Sequence, residues 1–259
     1  MDNATLIAGG MEKINRLLLA QLPVPAATST HKPIAHHTIV EALVETLGFR
    51  KIGVVSDEYA VSPDGMKMFG ILDLTTDMDG CRFAIGIRNS HDKSFRLALT
   101  VGLRVFVCSN MAFSGEFTPV LTKHTKNVNL LDVLSVGVDR MVRNFDPLRR
   151  QVEFWRNAQI SDDVAKLTIY EAFVERRLEV ARTLMPEVHR LYFDPIYPEF
   201  SPRTMWSLSN AFTSALKTLD PIPQFKATAR LGTFLEQVQA ARFRNAPVLM
   251  LGESREGRS

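Results

Sequence analysis

Arginines at 82, 88, 96 and 104 fall on alternate positions of two strand-like runs. On 82–89, Phe83, Ile85 and Ile87 share one face, and Arg82, Ala84, Gly86 and Arg88 share the other. On 94–104, Phe95, Leu97, Leu99, Val101 and Leu103 alternate with Arg96, Ala98, Thr100, Gly102 and Arg104. If the two runs form a hairpin over one core, four arginines with small residues between them lie on the opposite face. Such a face can hold phosphates, because arginine offers a planar, permanently charged donor fork. Small residues would let a backbone come close. The competing readings are a solvated sheet face and a face covered by helices, with Arg88 and Arg96 meeting Glu171, Glu175 or Glu179.

Other residue types with chemical capacity are few. Asn89-Ser90-His91-Asp92-Lys93 joins the two runs and is made of turn-forming side chains. His91 beside Asp92 raises general-base chemistry, although sequence neighbours rarely make the required hydrogen bond. Lys123-His124-Thr125-Lys126 precedes a helix start, where anions are favoured. The Cys108–Gly115 stretch lacks the GxSxG elbow of a nucleophile. His31, His36 and His37 fit no zinc spacing, and Cys81 and Cys108 read as reduced core thiols. No GxGxxG, P-loop or HExxH occurs, so no cofactor and no metal are expected.

The elements that would position these residues are set by composition and period. With 46% hydrophobic and 23% charged residues in 259, the chain can bury a large core without disulfides or metal. Disordered, collagen-like and disulfide-scaffold classes are excluded. A net charge of +3 permits nucleic acid as a partner without requiring it. No run of 18 apolar residues spans a membrane. The apolar run at 17–20 is broken by Gln21 and Pro23, so residues 11–22 read as a short amphipathic helix rather than a signal peptide. A cytoplasmic location is the expectation.

Pro23, Pro25 and Pro33 mark 22–35 as a strap. A helix is predicted over 37–47. Strands follow at 51–61, 67–74, 82–89 and 94–108, with Ser-Pro-Asp-Gly at 62–65 as a turn. Asn127 or Asn129 caps a helix that Pro147 interrupts or restarts, and Ser161 caps another. Prolines 186, 195, 198 and 202 break regular structure before helices at 204–219 and 225–243, and a polar tail frays from Gly252. The fold class is α+β: an antiparallel β-meander over about 50–108 packed with several C-terminal helices. Three segments result: 1–35, a short helix and strap; 36–122, a helix plus sheet; and 123–259, a helical layer expected to share one domain with the sheet.

Several runs resemble a known family. RNSHDKS at 88–94, VGLRVFVCSNMAFSG at 101–115, KHTKN at 123–127 and TMWSLSNAFT at 204–213 are similar to the phage- and plasmid-associated family called domain of unknown function 932. The likeness spans about His36 to Leu235. It implies a mobile-element context, which favours DNA or RNA transactions, and no established activity. A meander followed by a helix also resembles, as fold-level analogy, annealing proteins of the Rad52 type.

The first expectation is therefore a non-enzymatic nucleic-acid-binding protein, with an annealing- or recombination-like role and single-stranded DNA as one form of partner. Its contacts would be Arg82, Arg88, Asn89, His91, Lys93, Arg96, Arg104, Lys123, His124 and Lys126. Phe106 and Phe113 are the aromatics available for base stacking. The alternative is a protein–protein or self-assembling accessory protein, including a homo-oligomer that interferes with host defence. A hydrolase or nuclease using His91 or Asp92 is the weakest reading, because no carboxylate cluster has metal spacing.

Overall fold

The computed structural model describes residues 11–29, 31–106, 111–113, 120–122 and 129–243. In chain order the elements are β1 (Glu12–Ile14), α1 (Arg16–Leu19), α2 (His36–Gly48), β2 (Val54–Val61), β3 (Lys67–Met78), β4 (Cys81–Ser90), β5 (Leu97–Val105), β6 (Met111–Phe113), β7 (Val120–Thr122), α3 (Leu130–Asn157), α4 (Asp162–Phe173), α5 (Met185–Phe193), α6 (Met205–Leu216) and α7 (Pro221–Arg242). The fold is α+β. The antiparallel sheet runs in the order β1-β2-β3-β4-β5-β6, and β7 also pairs β5.

Alternation of apolar and polar residues builds the meander. Arg88 stands opposite Ala98 and Arg82 opposite Arg104, so the two arginine-bearing runs do pair as a hairpin. The turn at 62–65 closes with Gly65 in the left-handed region (φ +66°), its N–H donating to the Ser62 carbonyl at 2.7 Å. Gly70 lies between Tyr59 and Ile87 of the neighbouring strands; a Cβ there would come within 2.8 Å of the Tyr59 ring and 2.7 Å of Ile87.

Phe83, Ile85 and Ile87 face a single apolar core shared with Ile39 and Leu43 of α2, and with Val138, Met141 and Phe145 of α3. The Phe83 and Phe145 rings lie 4.4 Å apart. The same core continues through α4–α7 to Leu235, so sheet and helices share it. Among the described residues, no helix is long and apolar enough to cross a membrane.

Several boundaries differ from the sequence reading, four of them informatively. Residues 11–22 are not one helix. β1 takes the free edge of β2, and a single turn, α1, is capped by Asn15 and held to the sheet by the Arg16–Asp57 ion pair. The fourth predicted strand, 94–108, begins only at Leu97 and ends at Val105; Ser94, Phe95 and Arg96 belong to the connecting loop. Finally, α3 runs unbroken through Pro147 for 28 residues. The cost of a proline inside a helix, ~3 kcal/mol, is offset by burial of Met141, Phe145, Leu148, Val152 and Trp155 on either side. Pro186 likewise starts a helix rather than breaking one, sitting in the first turn of α5, where a missing N–H costs nothing.

Candidate nucleic-acid interface

The ladder puts Arg82, Arg88 and Arg104 on one face together with Ala84, Gly86, Ala98, Thr100 and Gly102. That face is not an open trough. Ala84 (0%), Ala98 (3%) and Thr100 (1%) are buried. Ala84 packs with Ala60, Phe69 and Ile71 in a second, small apolar cluster joined by Met11 and Phe95. The arginines therefore stand at the two ends of a covered strip, and each has a different environment.

Arg104 is neutralised. Its Nη2 meets Glu58 Oε1 at 2.8 Å, and its Nε meets Asp73 Oδ1 at 2.9 Å. The carboxylates come from β2 and β3, on the far side of β4 from Arg104, and Ser56 donates to Asp73 at 2.7 Å. Ala84, opposite both Gly102 and Asp73, leaves room for the Arg104 side chain to cross β4. The helical carboxylates expected to cover the face do something else. Glu175 is paired with Arg177, Glu179 with Arg230, and Glu171 lines a groove of about 310 Å³ between α4 and α7.

Arg88 is half-buried with no carboxylate partner among the described residues. Its Cζ lies 5.5 Å from the Phe95 ring centre and 5.6 Å from that of Phe225 in α7. Burial pulls its pKa below the ordinary arginine value, although the group stays charged at any working pH. Arg82, at the far end, lies 5.1 Å from the centre of the Phe106 ring, which is 48% exposed. Among the described residues the Nε atoms of Arg82, Arg88 and Arg104 are buried without a hydrogen-bond partner, and of the three only that of Arg104 has a carboxylate within ion-pair distance, Asp73.

The hairpin loop carries two further exposed cations. Ser90 Oγ donates to the Phe95 carbonyl at 2.8 Å, and Asp92 accepts from Ser94 N–H at 3.0 Å. Asp92 also pairs with Lys67 at 3.6 Å. Burial is the largest single effect on its carboxyl and opposes ionisation, but the hydrogen bonds from Ser94 and Ser90 and the charge of Lys67 together outweigh it and hold the pKa below the usual range. Lys93 sits at φ +66°, a conformation that costs a side-chain-bearing residue about 1–2 kcal/mol. Arg96 is exposed, and neither it nor Lys93 has a carboxylate within ion-pair distance among the described residues. Lys123, His124 and Lys126 lie outside the described residues, as do Cys108 and Asn127. Thr122, which precedes Lys123, stands opposite Leu97, one residue beyond Arg96.

A family model described as Domain of unknown function (DUF932) matches residues 35–235. The chain belongs to this family. No curated protein and no solved structure matches it. Arg88, Lys93 and Arg96, and the buried residues of the same hairpin, fall inside the span matched to DUF932.

Asn89 and His91 face inward, away from the loop's cations. Carbonyl oxygens only accept, so the hydrogen bonds fix the tautomers. His36 Nε2–H donates to the Gly65 carbonyl at 3.1 Å, and its Nδ1 accepts from Asn89 Nδ2 at 2.8 Å. Asn89 also donates to the Ile34 carbonyl at 3.2 Å, which His91 Nε2–H reaches at 3.1 Å. The His36 and His91 rings stack at 3.9 Å and 8°. His31 Nε2–H donates to the His91 carbonyl at 3.1 Å. These bonds fasten the strap 22–35 to the hairpin. His91 and Asp92 thus point apart and form no acid–base pair. Among the described residues no group of three or more His, Cys, Asp or Glu side chains is placed to hold a metal ion. No local sequence signal joins His36 to Asn89; they are 53 residues apart.

The neutral histidine stack has a pH consequence. Burial lowers the His91 pKa below its ordinary 6.5, outweighing the bond to Ile34 and the charge of Asp92. Below pH 6.5 the unfolded chain takes up a proton that the folded chain resists. This residue's contribution to stability is complete above that pH, and is lost as the pH falls from there through the lower pKa of the folded state. Thermal melts from pH 7.5 downward should show a falling Tm, and His91→Phe, which keeps a stacked ring without titrating, should flatten the fall. An equally steep fall in the Phe variant would place the titration elsewhere.

Proposed function

We propose that this DUF932 protein binds nucleic acid without catalysing a reaction on it, gripping phosphates at the β4–β5 hairpin end with Arg88, Lys93 and Arg96. Lys123 and Lys126 are assigned to the same role on their charge alone, and Arg82 with Phe106 forms an outlying contact. The observation that carries the reading is Arg88. A half-buried guanidinium held by two phenyl rings, with no acid beside it among the described residues, suits an arginine whose counter-ion comes from a partner. Single-stranded DNA is the proposed form, because the exposed Phe106 ring stands beside Arg82 and can stack with a base. Annealing or recombination on a phage or plasmid is the context that the family resemblance suggests.

Lys93 gives an independent test. Its left-handed backbone favours glycine, so Lys93→Gly should hold or raise stability by no more than ~1 kcal/mol. The same change should weaken binding of a fluorescent single strand at low salt. A stable Lys93→Gly protein with undiminished binding would remove Lys93 from the interface.

A further inference from the structure

α3 presents to solvent a line of side chains spaced alternately by four and three residues: Asp132, Val136, Asp139, Arg143, Asp146 and Arg150. All six are exposed. This spacing keeps a straight seam against a second helix, and the line runs for about 27 Å at 1.5 Å per residue. Leu131 (54% exposed), Val136 (51%) and Val142 (39%) lie on or beside it. The cations of α3 are all arginine, with no lysine, which is the bias of protein interfaces rather than of plain solvated surface.

The order of charges selects one partner. Asp132 and Asp139 precede Arg143 and Arg150 along the helix, and the spacing reads the same in both directions about residue 141. A parallel copy would set like charges against each other. An antiparallel copy sets Asp132 against the partner's Arg150 and Asp139 against the partner's Arg143. Val136 then faces the partner's Asp146. Asp139 already takes Arg50 at 2.7 Å and Asp146 takes Arg149 at 2.8 Å, but Arg143 and Arg150 have no carboxylate within ion-pair distance among the described residues.

We propose that two copies of the chain associate through this face of α3, antiparallel about a two-fold axis near residue 141. Exposed ion pairs are individually weak and screened by salt, so the dimer forms with rising concentration and dissociates in high salt. The α3 seam uses none of the cations assigned to nucleic acid.

Sedimentation velocity at low salt tests it. The full-length chain should shift toward twice the monomer mass as concentration rises. Arg150→Asp alone and Asp132→Arg alone should each remain monomeric, and their equimolar mixture should recover the dimer. The Asp132 carboxylate accepts a hydrogen bond from Asn129, the residue that caps α3, so a second pair of variants keeps the test open if that one misfolds. Val136→Arg, facing the partner's Asp146, should tighten the dimer, and Val136→Asp should weaken it. A monomer at every concentration would overturn the proposal. So would weaker oligonucleotide binding by Arg150→Asp with its mass distribution unchanged, which would give the seam to nucleic acid instead.

Discussion

Arg104→Ala should destabilise the fold by roughly 3 kcal/mol or more, the cost of stripping a buried ion pair of one member. The Asp73 side chain is only 7% exposed and that of Glu58 18%, so removing the guanidinium leaves a buried Asp73 carboxylate without its cation. Arg104→Lys should recover part of the loss, since one ammonium cannot serve two carboxylates with a planar fork. Nucleic-acid binding by whatever fraction stays folded should be unchanged. Chemical denaturation of the three proteins measures this. Near-wild-type stability in Arg104→Ala together with weaker binding would return Arg104 to the interface and break the distinction drawn between it and Arg88.

That distinction was only half legible in the sequence. Period-two alternation identified the shared face of Arg82, Arg88 and Arg104, because a two-faced strand writes its burial pattern directly into residue order. Arg96 was misplaced onto that face, since the alternation continues through Phe95 and Arg96 while Ser90 Oγ ties the backbone there into a loop. The carboxylates facing Arg104 were sought in the helices. Register arithmetic would have found them: once Arg82 stands opposite Arg104, Ala84 brings in Asp73 from β3. The strap contacts of His36 and Asn89 and the Phe225 ring on Arg88 come from distant segments, and only the folded chain brings them together. Pro147 misled in the opposite sense, because packing on both sides of α3 overrides a local rule.

The central claim is that Arg88 meets a phosphate, and the dependence of binding on salt tests it most directly. For a single strand each neutralised phosphate contributes about −0.7 to the slope of log K against log salt, so Arg88, Lys93 and Arg96 alone predict a slope near −2. The two lysines beyond Thr122 would steepen it. Arg88→Ala should weaken binding about tenfold or more, the worth of a charge-assisted hydrogen bond, and should make the slope shallower by about 0.7. All sequences should be affected alike, because phosphate contacts do not read bases. The measurement is a salt titration of wild type and Arg88→Ala against fluorescent single strands, with melts to confirm that both are folded. A shallower slope and uniformly weaker binding in the variant is the predicted result. The same slope in both proteins, or no binding by wild type at low salt, would contradict it.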